Sequence, residues 1–361
     1  MRPWGPSGAG AASLHGTMPL YRRLDGSDEI KPLFDTSDEE VLARLGGPTL
    51  LRLPGTDANP AARVVACLLH GNEDSGFRAV ARLLRSGARF PFDLWVFIGN
   101  VEAAVADGAF GHRYLEGQED FNRIWRREPA LTPERKLATA VLDELEAAAP
   151  EAVLDLHNTS GDNPPHAVVP DRADRGAERT VALAAACIGL VLQWRLEAHT
   201  LMEAMAPICP AIAVECGIAG RPEHVDVAAD VLHRFLHLDP VPDAGQPEQR
   251  FEMRERVVVR PEASFAFDAQ LRPGLDLALA PDLDAANFGM LFAGAVIGRC
   301  PPGRDMPLRA NDMDGRDTTD EAFALGGDGR IRLQRDVTPV MMTRSVIQTR
   351  RDCLFYIARR R

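Results

Sequence analysis

The segment RVVACLLHGNE, residues 63–73, decides the fold class of this chain. It opens with a short, almost uninterrupted apolar run, which is typical of a strand buried on both faces of a parallel sheet. The run ends in His70-Gly71-Asn72-Glu73, where glycine and asparagine favour a sharp turn. The segment therefore predicts a buried strand, over 63–70, with a histidine and a glutamate at its carboxyl end.

Apolar strands and amphipathic helices alternate along the rest of the first half. Further strands are predicted over 92–100, 152–157 and 211–215, and helices over 75–86, 132–149, 174–192 and 223–238. The helix at 132–149 opens with TPER, in which Thr132 is a good N-cap residue and a proline lies in the first turn. This alternation predicts an α/β fold with a mostly parallel or mixed sheet flanked by helices.

The composition changes after residue 238. The stretch DPVPDAGQPEQ, residues 239–249, contains three prolines and a glycine and is typical of a linker. Short β-type runs follow over 256–260, 330–333, 337–342 and 354–357. The predicted organisation is a flexible N-terminal tail (1–17), an α/β catalytic domain (18–238), the linker (239–249) and a smaller β-rich domain (250–361).

Composition excludes several classes of protein. Of the 361 residues, 45% are apolar and 26% charged, which is typical of a folded chain. The net charge of −11 comes without a basic patch and argues against a nucleic-acid partner. No stretch is long and apolar enough to span a membrane, and residues 1–17 lack the apolar core of a signal peptide, so translation starts at Met1 or at Met18. Six cysteines without a CxxC pair indicate reduced thiols and a cytoplasmic location.

Chemically useful side chains stand at the predicted carboxyl ends of three strands. In an open parallel sheet, ligand sites form at these ends. His70, Glu73 and His157 would supply three metal ligands and leave a position open for water, which is the pattern of catalytic zinc. We therefore expect one Zn²⁺ per chain, with another divalent ion as the alternative because two histidines and a glutamate do not select zinc absolutely.

Glu215 ends the apolar run AIAV of the fourth strand. Burial beside a metal would tune the pKa of its carboxylate. A carboxylate at this point could take a proton from metal-activated water and pass it to a leaving nitrogen. Glu215 is therefore the predicted general base.

The sequence resembles the aspartoacylase and succinylglutamate desuccinylase family, which has a zinc carboxypeptidase-like fold. The matching motifs occur in family order over roughly residues 60–220: His70-Gly71-Asn72-Glu73 with Gly76, Gly99-Asn100 with Ala103, Arg113-Tyr114-Leu115, Asp120-Phe121-Asn122-Arg123-Ile124-Trp125, Asp155-Leu156-His157-Asn158-Thr159 and Glu215-Cys216-Gly217. The resemblance implies a catalytic domain followed by a β-rich domain that caps the site.

The resemblance also implies roles for the matched residues. His70, Glu73 and His157 correspond to zinc ligands and Glu215 to the general base. Asn122 and Arg123 correspond to the pair that holds a substrate carboxylate, a contact that suits the planar guanidinium. Asn158 and Thr159 are expected to line the pocket or orient His157, and Tyr356 to enter the pocket, with core packing as its alternative.

Two positions depart from the family pattern. Where the family has an NPRA segment, with an arginine that steadies the oxyanion, this chain has Asn100-Val101-Glu102-Ala103. Shortly before the general base, where an arginine would bind an acidic substrate group, the nearest residue is Met205. These departures predict a less acidic substrate and an oxyanion stabilised by zinc and another donor.

The resulting hypothesis is a zinc-dependent amidohydrolase that deacylates a small N-acyl amino acid or related molecule. One alternative is a carboxypeptidase acting on short peptides, and pocket depth would distinguish the two. The other is a metal-binding or regulatory homologue that has lost catalysis. The acidic charge and two-domain layout are compatible with a homo-oligomer.

Overall fold

The structure, a computed structural model, describes residues 20–58, 60–129, 131–172 and 175–361. The predicted tail, residues 1–17, and Met18 lie outside the described residues. Among the described residues, no helix is long and apolar enough to cross a membrane.

The described residues form strands and helices with the following bounds. The strands are β1 (Arg22–Asp25), β2 (Thr49–Leu53), β3 (Ala62–Cys67), β4 (Asp93–Ile98), β5 (Ala152–Thr159), β6 (His166–Pro170), β7 (Leu190–Trp194), β8 (Ala211–Ile218), β9 (Gln249–Val259), β10 (Phe265–Phe267), β11 (Leu277–Leu279), β12 (Val296–Arg299), β13 (Leu308–Asp312), β14 (Phe323–Leu325), β15 (Arg330–Leu333), β16 (Thr338–Val340) and β17 (Phe355–Arg360). The helices are α1 (Ser27–Phe34), α2 (Asp38–Leu45), α3 (Asp74–Ser86), α4 (Val101–Val105), α5 (Pro133–Ala147), α6 (Arg175–Cys187), α7 (Leu201–Met205), α8 (Pro222–Leu236), α9 (Thr319–Ala322) and α10 (Val346–Arg351), with a 3₁₀ turn at Leu283–Ala286.

The larger sheet is mixed. Its strands run in the order β1-β2-β4-β3-β5-β8-β6-β7-β9-β17-β16, with β13 beside β9. The central strands β4, β3, β5 and β8 are parallel, whereas β6 is antiparallel to β8. The predicted α/β class with a helix-flanked sheet is confirmed, and so is the smaller β-rich unit, a second sheet of order β10-β11-β12-β15-β14.

Alternating side chains of the central strands point to opposite faces of the sheet and pack into two separate hydrophobic cores. On β3, Val65 and Cys67 pack with α3, α6 and α8 on one face, and Val64 and Ala66 pack with α5 and α7 on the other. Since both faces are covered, β3 is buried along its whole length. This explains why the deciding segment reads as a continuous apolar run.

Two glycines near the first strand are required by close packing. A Cβ on Gly76 of α3 would lie 2.6 Å from Cβ of Leu156 on β5. A Cβ on Gly71 would lie 2.5 Å from the backbone nitrogen of Ala104. Gly71 lies in a turn, as the sequence predicts, and because its backbone has no positive φ the tight approach of α4 explains the glycine.

The structure also corrects the predicted elements. The helix predicted over 174–192 ends at Cys187, and Leu190–Trp194 forms the separate strand β7. Its apolar residues continue the helical pattern, and a short apolar run cannot be assigned by periodicity alone. Residues after the predicted linker rejoin the larger sheet, because β9 pairs in parallel with β7. The domain bounds at 238 and 250 stay a prediction.

Candidate active site

The carboxyl ends of β3, β5 and β8 lie side by side and bring the predicted metal and base residues together. One ligand atom from each of His70, Glu73 and His157 lies within 4.8 Å of the other two, and all three residues are buried. His157 and Glu215 are opposite each other in the β5–β8 ladder. The proximity follows from parallel pairing, which places successive strand ends at one edge of the sheet.

The carboxylate of Glu73 is the centre of this cluster. Its Oε1 lies 2.7 Å from Nδ1 of His70, and its Oε2 lies 2.9 Å from Nδ1 of His157. The backbone N–H of Asn158 donates to Oε2 at 3.0 Å. Burial alone would raise the pKa of Glu73, but the two histidines hold it well below its usual range. The group is therefore a carboxylate flanked by two imidazole nitrogens.

The outer nitrogens of both histidines face other polar groups. Nε2 of His70 lies 2.9 Å from Oδ1 of Asp120. Nε2 of His157 lies 2.9 Å from Oδ2 of Asp155 and 3.2 Å from the side-chain nitrogen of Asn122. Carboxylates in this position orient metal-binding histidines and increase their basicity. Burial alone would lower the pKa of His157, but Asp155 and Glu73 raise it well above its usual value.

The donor set fits a divalent cation. Two Nδ1 atoms and one carboxylate converge, and the opposite imidazole edges are held by other groups, so the Nδ1 lone pairs are the ones available to an ion. Two histidines and one glutamate form a ligand set of catalytic zinc sites. The cluster could therefore hold a metal, although its geometry alone does not identify which one.

Glu215 lies beside the cluster without a hydrogen-bond partner for its buried Oε2. Burial raises the pKa of its carboxyl group to about 7. A proton acceptor is most effective when its pKa lies near the working pH. Glu215 is therefore suited chemically to exchange a proton near neutrality.

Arg113 is a site residue to which our sequence reasoning gave no role. Its Nη1 donates to Oε1 of Glu73 at 3.2 Å, and its Nη2 lies 3.5 Å from Oδ2 of Asp120. Burial alone would raise the pKa of Asp120, but His70 and Arg113 hold it well below its usual range. Arg113 and Asp120 both belong to the family motifs given above, so those motifs already indicated that the two residues are part of the site. Glu102 is exposed on α4 and does not line the cavity.

The predicted substrate residues all line one cavity with the cluster. They are Asn122, Arg123, Asn158, Thr159 and Tyr356. Asn158 is held between Ser75 and the carbonyl of Gly217, and Thr159 donates to the carbonyl of Gly161. These bonds make Asn158 and Thr159 part of the wall.

The cavity is small, and the C-terminal segment forms part of its lining. Its volume is about 130 Å³. Thr343, Gln348, Asp352 and Tyr356 of this segment line it. Tyr356 is buried and donates from its hydroxyl to Asp352 at 3.2 Å. An apolar cavity of about 150 Å³ holds one benzene ring, so the space suits a small ligand.

Met205 and His166 do not line the cavity. Met205 is buried in the core, whereas Met202, on the same helix, lines the cavity. His166 packs against the ring of Phe288, with 4.6 Å between the ring centroids. The methionine of α7 that faces the cavity is therefore Met202.

Comparison with known proteins agrees with this architecture. Residues 61–236 match the family model described as the succinylglutamate desuccinylase/aspartoacylase catalytic domain. Residues 61–236 are a catalytic domain of this family. The matched segment contains His70, Glu73, His157 and Glu215. No curated protein matches the sequence significantly.

Solved structures share the fold at low identity. The succinylglutamate desuccinylase/aspartoacylase from Rhodobacter sphaeroides is 15% identical over 85% of this chain and 87% of that chain, with a TM-score of 0.57. The succinylglutamate desuccinylase from Vibrio parahaemolyticus is 20% identical over 80% and 86%, with a TM-score of 0.51. The product-bound ectoine utilization protein EutE (DoeB) from Ruegeria pomeroyi is 13% identical over 86% and 88%, with a TM-score of 0.50. At these identities the likeness establishes the fold alone.

Proposed function

We propose that this family member is a zinc-dependent amidohydrolase that removes the acyl group from a small N-acyl amino acid. The observation that carries the proposal is the convergence of His70, Glu73 and His157 beside the unpartnered carboxylate of Glu215. Both activities in the family's description, desuccinylase and aspartoacylase, are deacylations. Zinc bound by the three ligands would polarise the amide carbonyl and lower the pKa of a water molecule.

The protein's own groups supply the remaining chemistry. Glu215 takes a proton from the attacking water and delivers it to the leaving nitrogen, which its pKa of about 7 suits. Arg113, whose guanidinium lies against Glu73, places positive charge where the amide oxygen becomes negative. Arg113 could therefore take the place of the oxyanion-stabilising arginine that is missing at Glu102, because it brings a cationic donor from another loop.

Arg123 is proposed to hold the carboxylate of the amino-acid part. Its guanidinium lines the cavity, and its Nη1 donates to the backbone oxygen of Asn122 at 2.8 Å, which orients the side chain. The side chain of Asn122 also contacts His157, so the Asn122–Arg123 pair that would hold the substrate carboxylate directly adjoins a proposed metal ligand. This arrangement supports a substrate whose carboxylate is held by Arg123 and whose amide bond lies towards Glu215.

The rival functions are less well supported. A carboxypeptidase must leave room for a peptide chain beyond the scissile bond, whereas here Thr343, Gln348 and Asp352 line the cavity together with the proposed ligands. A homologue without catalysis would not need a buried carboxylate oxygen without a hydrogen-bond partner beside the ligands, since such an atom is costly to bury. The cytoplasmic location stays a prediction, supported by six free and buried cysteines, and so does a homo-oligomer.

The test combines metal content with turnover. Purified protein is analysed for zinc by mass spectrometry and assayed on N-acetyl, N-succinyl and N-formyl amino acids. We expect about one zinc per chain, loss of turnover after chelation, and recovery with added zinc. A protein that binds zinc but cleaves short peptides in preference to the panel would favour the carboxypeptidase. A protein with no metal and no turnover would refute the proposal.

A further inference from the structure

The cavity wall next to Glu215 is apolar. Ala213 lies two residues before Glu215 on β8, so the two side chains share one face of the sheet. Val168 of β6 pairs with Ala213 across the ladder and therefore shares that face. We call the cavity-lining group of Val168, Trp194, Met202, Ala213 and Tyr356 the apolar subsite.

The aromatic and thioether side chains of this subsite are fixed by packing. Trp194 and Tyr356 meet edge to face, with their ring centroids 5.3 Å apart. Met202 is buried in the core on the α5–α7 side of the sheet, together with Val168 and Ala213. The subsite is therefore a preformed surface, and a preformed apolar surface binds an apolar group at low entropic cost.

The apolar subsite adjoins the proposed carboxylate grip. The backbone N–H of Leu201 donates to the side-chain oxygen of Asn122 at 3.3 Å, so α7 begins against the Asn122–Arg123 pair. Met202 is the next residue of α7. A molecule whose α-carboxylate lies on Arg123 would carry its side chain close to the start of α7, where that side chain could fill the subsite.

The charges of the cavity disfavour a second carboxylate on the substrate. Among the described residues that line it, Arg113 and Arg123 are the only lysine or arginine side chains. Arg113 already contacts Glu73 and Asp120. An acidic side chain would therefore enter an apolar wall near Glu215 without a cation to pair with, and burying an unpaired charge is strongly unfavourable.

We propose that the substrates are N-acyl α-amino acids with a bulky apolar side chain of leucine, methionine or phenylalanine size, which the apolar subsite receives. This inference rests on the proposed deacylase function. The proposed size follows from the three large side chains of the subsite, Trp194, Met202 and Tyr356, which offer an extended apolar surface to a side chain of this kind.

The first experiment compares kcat/KM of the zinc-loaded protein across N-acetyl amino acids. N-acetylleucine and N-acetylphenylalanine are expected to exceed N-acetylalanine by about 10- to 100-fold, the discrimination that an apolar pocket achieves through buried methylenes. N-acetylaspartate and N-acetylglutamate are expected to fall below N-acetylalanine. N-octanoylalanine, which has a long acyl chain and a small side chain, tests whether the apolar subsite binds the acyl group instead of the amino-acid side chain.

The second experiment reshapes the subsite. Ala213→Val is expected to lower kcat/KM for N-acetylphenylalanine at least tenfold more than for N-acetylalanine, because the added methyl groups occupy the subsite. Ala147→Val, at an exposed alanine of α5 outside the cavity wall, is the matched control and should keep the wild-type ratio. Should Ala213→Val fail to fold, Met202→Ala enlarges the subsite instead and should move the preference from leucine towards phenylalanine.

The outcomes separate this inference from the function on which it rests. Turnover that favours N-acetylaspartate, or that ranks N-octanoylalanine above N-acetylleucine, overturns the inference and leaves the deacylase intact. A wild-type phenylalanine-to-alanine ratio in Ala213→Val, together with a wild-type leucine-to-phenylalanine ratio in Met202→Ala, also overturns it. If the zinc-loaded protein hydrolyses no N-acyl amino acid, the proposed function itself fails.

Discussion

Replacing Glu215 by glutamine separates the chemistry of the site from its shape. The two side chains have nearly the same size, and the replacement removes only the ability to accept a proton. His70, Glu73 and His157 remain, so we expect Glu215→Gln to keep its zinc stoichiometry. General base catalysis contributes about 100- to 10,000-fold to rate, and kcat should fall by that factor.

The same replacement should make the metal-free protein more stable at alkaline pH. Burial raises the pKa of Glu215 to about 7, against an ordinary value of 4.5. The folded protein therefore binds a proton that the unfolded chain has lost between these two values, and stability decreases as the pH rises through this window. Between pH 5 and pH 8 the wild type should lose about 2 to 3 kcal/mol from this group, and the glutamine variant should not.

Urea unfolding of chelator-treated protein at pH 5 and pH 8 measures this difference. The matched control is Glu102→Gln, at an exposed glutamate outside the cavity, which should change neither kcat nor the pH dependence of stability. Equal loss of stability between pH 5 and pH 8 in wild type and Glu215→Gln would refute the electrostatic reasoning. Turnover within a factor of two of wild type would refute the role of Glu215 as base.

Three further perturbations test other parts of the structure. Asp120→Asn removes the carboxylate that faces Nε2 of His70 at 2.9 Å and should weaken zinc affinity about 10- to 100-fold, as measured by chelator competition; an unchanged affinity would mean that this contact does not support the ligand. Gly76→Ala places a Cβ 2.6 Å from that of Leu156 and should destabilise the protein by about 1–3 kcal/mol in urea unfolding, whereas a stabilised variant would contradict the tight packing. Burial lowers the pKa of His166 to about 4, so the unfolded chain binds a proton there first as the pH falls from 6.5. His166 should therefore lower the stability by about 2 kcal/mol between pH 7 and pH 5, opposite in sign to the contribution of Glu215, and a His166→Gln variant should lack this contribution relative to the wild type in the same assay.

The family and the central elements could be predicted because their signals are local. Strands such as β3 and β5 are buried on both faces, so each appears in the sequence as an apolar run that ends in polar residues. To group the polar residues at those strand ends into one site, we needed only the rule that the ends of parallel strands meet at one edge of the sheet. His70, Glu73, His157 and Glu215 could be chosen as candidates on that basis.

Other features depend on which segments meet across the sheet. Strand β7 follows α6 directly in an apolar pattern, so its pairing with β6 and β9 distinguishes it from a helix. Arg113 lies in a loop with no periodic pattern, and its place against Glu73 comes from the folding of that loop over the strand end. Whether Met202 or Met205 lines the cavity depends on how α7 packs against the sheet.

The sequence by itself determined the α/β class, the family motifs and the donor types of the site, because burial and side-chain chemistry leave a pattern along the chain. Tertiary structure alone decided the cavity volume of about 130 Å³, its lining by Thr343 and Gln348, and the apolar wall beside Glu215. These features bring together residues from separate elements, among them Ala213 with Val168 of β6 and Trp194 with Tyr356 of β17. The free energy of such contacts depends on packing in three dimensions, which no local pattern records.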